Sequence, residues 1–124
     1  MNKHLLALIS LCYPIFACPT GSIQGLDSDT CYRFISDKTN WYAAESACIT
    51  YGGHLTSISS SLENSFVSNK AGSIFNNGEN YWLGSNNNLV RFNWTWSDVA
   101  TFTYTNWAKG NFLVISQNFW KDVV

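Results

Sequence analysis

The sequence predicts an α+β domain whose two helices are grouped between strands rather than alternating with them. Three observations predict it. CYRFIS at 31–36 alternates apolar and polar positions around Tyr32, Phe34 and Ile35, as a strand does. Apolar residues then recur twice at helical spacing, first from Trp41 and again from Leu62. Three short aromatic-rich runs follow, YWLGS (81–85), RFNWTWSD (91–98) and FTYTNW (102–107), with turns rich in Asn, Ser and Asp between them. The 124 residues allow one domain of ordinary size. Six Trp supply burial that so small a domain otherwise lacks.

The first seventeen residues read as an address. Lys3 provides a short positive region and Leu5–Ala17 an apolar one, too short to span a bilayer, which takes about 20 residues. Ala17, with Ile15 three positions before the cut, fits the cleavage site of a secretory signal peptide. The alternative is a short buried N-terminal helix; Pro14 and the lack of a polar face argue against it. The expected division is therefore a signal peptide, 1–17, and a domain, 18–124. Without the leader, six basic residues stand against eight acidic ones, a formal charge of −2. Three cysteines remain, Cys18, Cys31 and Cys48, an odd number for an oxidising compartment. No second long apolar run follows, so the product is expected to be secreted, extracellular and without a membrane span.

Taken in order, Cys18 and Cys31 bracket a polar, turn-rich stretch, PTGSIQGLDSDT, with no core of its own. A disulfide closing a loop of this size contributes about 3 kcal/mol on the chain-entropy model. After the strand, DKTN offers helix-start residues, with Asn40 the expected N-cap. Trp41, Ala44, Ala47, Cys48 and Tyr51 then share one helical face, with Glu45 turned to water, and Gly52-Gly53 stops the helix. HLTS (54–57) leads to Ser60 and Glu63, which fit a capping box in which hydroxyl and carboxylate satisfy each other's backbone donors. Leu62, Phe66 and Val67 form the buried stripe of the second helix, and 71–80 reads as a loop of turn formers.

Composition excludes several functions. There is no basic block, so nucleic acid is not an expected partner. After leader removal His54 is the single histidine and no CxxC occurs, so Cys/His metal spacing is absent and His54 reads as a surface or helix-end residue. No serine sits in GxSxG and no glycine-rich phosphate loop follows a strand; no catalytic residue is assigned and an enzyme is not expected. Asn93-Trp94-Thr95 is a sequon for N-glycosylation; the alternative is an unmodified strand residue. Asn76, Asn77, Glu79, Asn80 and, separately, Asn86, Asn87, Asn88 are oxygen-rich clusters of the kind calcium takes, though such runs are more often turns.

Together these segments resemble the C-type lectin-like domain. CYRF (31–34), NWYAAESAC (40–48), GGHLTSI (52–58), LENSFV (62–67), YWLG (81–84), WTWSD (94–98) and YTNWAKG (104–110) occur in that family's order. The resemblance implies two helices flanking small antiparallel sheets, with WLG in a central strand and a long loop carrying the ligand site. It also implies that Cys18 and Cys31 form the extra N-terminal disulfide of the family's long form. Glycan binding is the function it implies, with calcium as the usual cofactor.

The tail departs from the pattern. The family's first-helix cysteine pairs with one near the C-terminus and a second pair spans the ligand loop, yet no cysteine follows Cys48 here. Where a Glu-Pro-Asn or Gln-Pro-Asp tripeptide is expected, Gly110 is followed by Asn111-Phe112-Leu113. Phe119-Trp120-Lys121-Asp122 resembles the family's late Trp-x-Asp strand, but Lys121 stands where an Asn ligand is expected. A cation there repels calcium, and Asp122 alone is far from the six to eight oxygens, about, that calcium takes. The expectations are thus a domain whose C-terminal loop and last strand are incomplete, or an unrelated tail in which that match is chance. No metal ligands are assigned, and Cys48 is expected as an unpaired thiol or the link of a dimer. Three functions follow: a secreted glycan-binding module; a calcium-independent protein-interaction module; or a truncated, non-functional isoform.

Overall fold

The computed structural model describes residues 18–76, 78–90, 93–107 and 120–123; the expected signal peptide lies outside them. In chain order the elements are β1 (Ile23–Gln24), β2 (Cys31–Tyr32), β3 (Phe34–Thr39), α1 (Trp41–Thr50), α2 (Ser61–Phe75), β4 (Tyr81–Trp82), β5 (Ser85–Val90), β6 (Asn93–Trp96) and β7 (Trp120–Val123). The class is α+β, with the two helices consecutive.

β1 and β2 form an antiparallel hairpin, Ile23 opposite Tyr32, closed by a Cys18–Cys31 disulfide. The loop between them is built on Asp27, whose carboxylate accepts from the hydroxyl of Thr30 (2.8 Å) and the N–H groups of Asp29 (2.8 Å) and Thr30 (2.7 Å). Those bonds, the Thr30 hydroxyl first, hold its carboxyl below the usual range.

The strand expected over 31–36 is interrupted at Arg33 and its second part continues to Thr39. Pairing explains the extension: β3 lies antiparallel to β7, with Phe34 opposite Val123, Ile35 opposite Asp122 and Thr39 opposite Trp120, and a register shift between the last two pairs. β7 is the middle strand of a three-stranded sheet ordered β3-β7-β4. It runs parallel to β4, Trp82 beside Asp122, so this sheet is mixed rather than wholly antiparallel. β5 and β6 form a separate antiparallel hairpin.

Asn40 caps α1 as expected, its side-chain oxygen accepting from Ala43 N–H at 3.0 Å. Gly52 ends the helix at φ +85°, and Gly53 N–H reaches back to Cys48 O at 3.0 Å. Two positions differ from the sequence reading. Tyr51 is 57% exposed, because the helix ends before it could turn inward. Glu45 does not face water: its side chain is 14% exposed, binds His54 Nδ1 at 2.5 Å and accepts from Leu55 N–H at 2.9 Å. The carboxylate thus ties α1 to the segment that follows it.

In α2 the Ser60 hydroxyl accepts from Glu63 N–H at 3.1 Å, half of the expected box. The other half lands one residue earlier, on Ser59, whose N–H and hydroxyl both donate to Glu63 Oε2 at 2.7 Å. Glu63 Oε1 accepts from the Tyr32 hydroxyl at 2.6 Å. The buried stripe is Val67, Ala71 and Phe75, at i, i+4, i+8, while Leu62 is 67% exposed. That spacing also corrects the loop expected over 71–80: the helix persists to Phe75, and Asn76 at φ 73° ends it.

Two clusters make the core. The larger unites Tyr32, Ile58, Val67, Ala71, Phe75 and Trp96; the smaller is Ala44, Cys48 and Leu55, flanked by Trp41 and Trp82. Both flanking indoles are fixed to backbone, Trp41 Nε1 to Leu83 O (2.8 Å) and Trp82 Nε1 to Thr39 O (2.9 Å). Cys48 is 0% exposed inside this cluster. An interchain bridge needs an accessible sulfur, so a Cys48-linked dimer is incompatible with this packing without local opening.

Gly84 joins the parts. Its N–H donates to Thr56 O and its carbonyl accepts from Ser97 N–H, both at 2.9 Å, so the backbones around Leu55, Gly84 and Ser97 lie side by side. A Cβ at Gly84 would fall 2.4 Å from Leu55 O and 2.6 Å from Ser97 Oγ. Only glycine permits that approach.

Candidate ligand-binding face

Aromatic rings converge where β6 and the segment after it meet. Trp96, 7% exposed, points into the core, and alternation turns its neighbour but one, Trp94, to the same side of β6 at a half-buried position. FTYTNW, expected as a third strand, forms none over 102–107; instead its rings return onto β6. Phe102 stacks on Trp96 with centroids 4.8 Å apart, Trp107 packs on Trp94 at 4.8 Å, and Phe102 and Trp107 lie 6.3 Å apart and nearly parallel. Such contacts add about 0.5–1.5 kcal/mol each beyond area burial. They substitute for the ladder hydrogen bonds that a strand would have supplied.

An open recess of about 100 Å³ lies beside these rings, with Phe102, Tyr104, Trp107 and Ile58 as apolar walls and Asn64 and Asn106 as amides at its edge. Trp96 also borders it, and its Nε1 is a buried donor without an acceptor among the described residues. The turn holding the rings in place is anchored at Asp98. Its Oδ2 accepts from the Ser57 hydroxyl at 2.6 Å and its Oδ1 from Ala100 N–H at 3.0 Å. Val99, between them, is 93% exposed at φ 59°, a conformation that β-branched residues avoid.

The sequence-predicted sites are distributed as follows. Cys18 and Cys31 are bonded to each other. Asn93 is exposed and opens β6 beside the hairpin tip, opposite Val90. His54 is at the surface, 46% exposed in its side chain, beyond the end of α1. Of the first asparagine-rich cluster, Glu79 faces Lys38 Nζ at 4.0 Å; in the second, Asn86 bonds Gly84 O at 3.4 Å. Among the described residues no three His, Cys, Asp or Glu side chains gather as metal ligands do. Lys121 and Asp122 lie in β7, whereas Gly110 and Asn111–Leu113, where the resemblance puts its tripeptide, lie outside the described residues. The roles of Glu45 and Asp98, and the bond of Glu63 to Tyr32, were missed by sequence reasoning, since these contacts cross sequence distances that periodicity does not report.

The lectin C-type domain profile matches residues 37–119 of the chain. The chain belongs to the C-type lectin family. The galactose-specific lectin nattectin of Thalassophryne nattereri is 32% identical over 94 residues, 76% of this chain, and ladderlectin of Oncorhynchus mykiss is 33% identical over 93 residues, 75% of it. The chain spans 58% of the first relative's length and 48% of the second's. Human lithostathine superposes with a TM-score of 0.77 at 19% identity, covering 95% of this chain and 96% of that one, which shows the fold. The matched segment is a domain of this lectin class. Among the described residues no helix is long and apolar enough to cross a membrane.

Proposed function

We propose that the chain is a secreted glycan-binding module whose sugar contacts come from the aromatic face of Phe102, Tyr104 and Trp107, with Trp94 packed on Trp107 as its support, and do not require calcium. One observation carries the reading: half-buried rings gather around an open recess edged by the amides of Asn64 and Asn106. Indole and phenol faces pack against the C–H face of a pyranose, and amides read its hydroxyls. Membership of a family whose relatives include galactose-specific nattectin supports a saccharide as the ligand.

Calcium independence rests on the carboxylates. Residues 108–119 contain no Asp or Glu. Between 37 and 107 there are five: Glu45 is committed to His54 and Leu55, Glu63 to Tyr32 and Ser59, and Asp98 to Ser57 and Ala100, while Glu79 faces Lys38 Nζ at 4.0 Å. A calcium site takes about six to eight oxygens, several of them from carboxylates. Secretion is supported by the leader-like residues 1–17 and by the Cys18–Cys31 disulfide, a bond of oxidising compartments. The exposure of Asn93 at the start of β6 supports reading its sequon as an N-glycan acceptor.

A glycan array probed with the secreted protein, with and without chelator, tests the reading. Binding that persists in chelator and falls in Trp94→Ala is expected. Binding abolished by chelation, or no binding to any saccharide, would overturn it; in the second case a protein ligand becomes the better reading.

A further inference from the structure

We infer that a second, separate cleft binds a neutral polyhydroxylated ligand of monosaccharide size. It lies between the β1–β2 hairpin, the C-terminal end of α1 and the turn after β6, is open to solvent with a volume of about 300 Å³, and shares no lining residue with the aromatic recess. That volume is at the lower end for small-molecule sites and sufficient for one sugar ring. Gly52 and Gly53 form part of its lining and contribute no side chain.

The polar groups around it are held in place by contacts that leave hydrogen-bonding capacity over. Arg33 spends one guanidinium nitrogen on Thr20 O at 2.6 Å and lies 4.5 Å above the Tyr51 ring, a cation–π arrangement that fixes its plane. Among the described residues it makes no ion pair and no hydrogen bond besides the one to Thr20 O, so N–H donors are left over for a ligand. The Tyr51 hydroxyl has no hydrogen-bond partner among the described residues and both gives and accepts. His54 is oriented by Glu45 at Nδ1, which leaves Nε2 of the neutral ring as an acceptor. Donors and an acceptor therefore line one cleft, and neighbouring sugar hydroxyls need both.

Charge selects the ligand class. The lining carries one cation, Arg33, and one anion, Asp98, while His54 faces the carboxylate of Glu45. The carbonyl end of α1, which disfavours anions, also opens here. An acidic ligand would meet Asp98 and that helix end; a cationic one would meet Arg33. A neutral polyol meets neither cost.

The test is an amide-resolved NMR titration of the secreted protein with methyl α-mannoside and with methyl β-galactoside, both in chelator. Saturable shifts of the Gly52 and Gly53 amides and of the Arg33 side-chain N–H are expected, with dissociation near about 1 mM for a few hydrogen bonds and no deep burial. Arg33→Gln should weaken the cleft response about ten-fold, as expected for loss of a charged hydrogen bond. His54→Ala, which leaves Arg33 and Tyr51 in place, should weaken it as well and serves if Arg33→Gln fails to fold. No shift at Gly52 or Gly53 with either sugar, or a shift unchanged in both variants, would overturn the proposal. Shifts confined to the Trp94 and Trp107 indoles would overturn the cleft and leave the aromatic face standing; shifts confined to the cleft would do the reverse.

Discussion

Replacing Gly84 by alanine puts a methyl group where three backbones already touch. The new Cβ would sit 2.4 Å from Leu55 O and 2.6 Å from Ser97 Oγ. Ser97 Oγ can rotate away; the Leu55 carbonyl cannot move without opening the adjacent Gly84–Thr56 hydrogen bond and straining the Ser97–Gly84 one. Two backbone bonds at about 1 kcal/mol each and overpacking at about 1–3 kcal/mol are offset by a gain of about 0.4–1 kcal/mol from a less flexible unfolded chain. The net loss is about 3 kcal/mol, a large share of the roughly 5–15 kcal/mol typical of a domain. Urea unfolding followed by tryptophan fluorescence should show the midpoint falling by roughly 1–3 M with an unchanged slope. Gly52→Ala is the internal control: φ is +85° and nothing lies within 4 Å of its Cβ, so the left-handed penalty of about 1–2 kcal/mol applies, less the same unfolded-chain gain of about 0.4–1 kcal/mol, and no close contact adds to it. A Gly84→Ala loss below about 1 kcal/mol, or one smaller than that of Gly52→Ala, would refute the close-approach argument.

Three further outcomes are expected. Asn40→Ala removes the cap on Ala43 N–H and should cost about 1 kcal/mol in the same assay. Val99→Gly relieves a left-handed β-branched residue; the relief, about 1–2 kcal/mol, exceeds the flexibility that glycine adds to the unfolded chain, about 0.4–1 kcal/mol. A raised thermal midpoint is expected and a lowered one would count against strain at this turn. Burial, with the Glu63 carboxylate as a lesser cause, raises the Tyr32 phenol above its ordinary 10.0, and burial raises Tyr81 too. The folded state then holds protons that the unfolded state releases, so stability is intact below about pH 10 and falls as pH rises beyond it. Tyr32→Phe should flatten that alkaline decline in a pH series of urea midpoints.

What was legible from the sequence was local chemistry. Asn40, Ser60 and the Gly52 stop act within one helical turn, so their residue types alone place them. The Cys18–Cys31 disulfide followed from the family resemblance, whereas the hairpin it closes was read only as a turn-rich stretch; the order of segments pointed to the family although periodicity alone did not. What escaped was decided at a distance. Glu45 looked solvated because its helical phase is polar, yet its partners are on the chain beyond the helix, at His54 and Leu55. FTYTNW has strand composition, but ring stacking on Trp94 and Trp96 outcompetes strand pairing there. The parallel pairing of β4 with β7 brings together segments 39 residues apart, Tyr81 and Trp120 at their starts, which no local signal encodes. The cleft at Arg33 joins three such segments and was invisible for the same reason.

The central claim is that this lectin domain recognises saccharides through its aromatic face without calcium. The most direct measurement follows the Trp94 and Trp107 indole N–H resonances while methyl β-galactoside and methyl α-mannoside are added, first in chelator and then in excess calcium. The account predicts saturable indole shifts in chelator, with an affinity that calcium leaves unchanged and Trp94→Ala reduces. Indole shifts that appear only after calcium is supplied would contradict it.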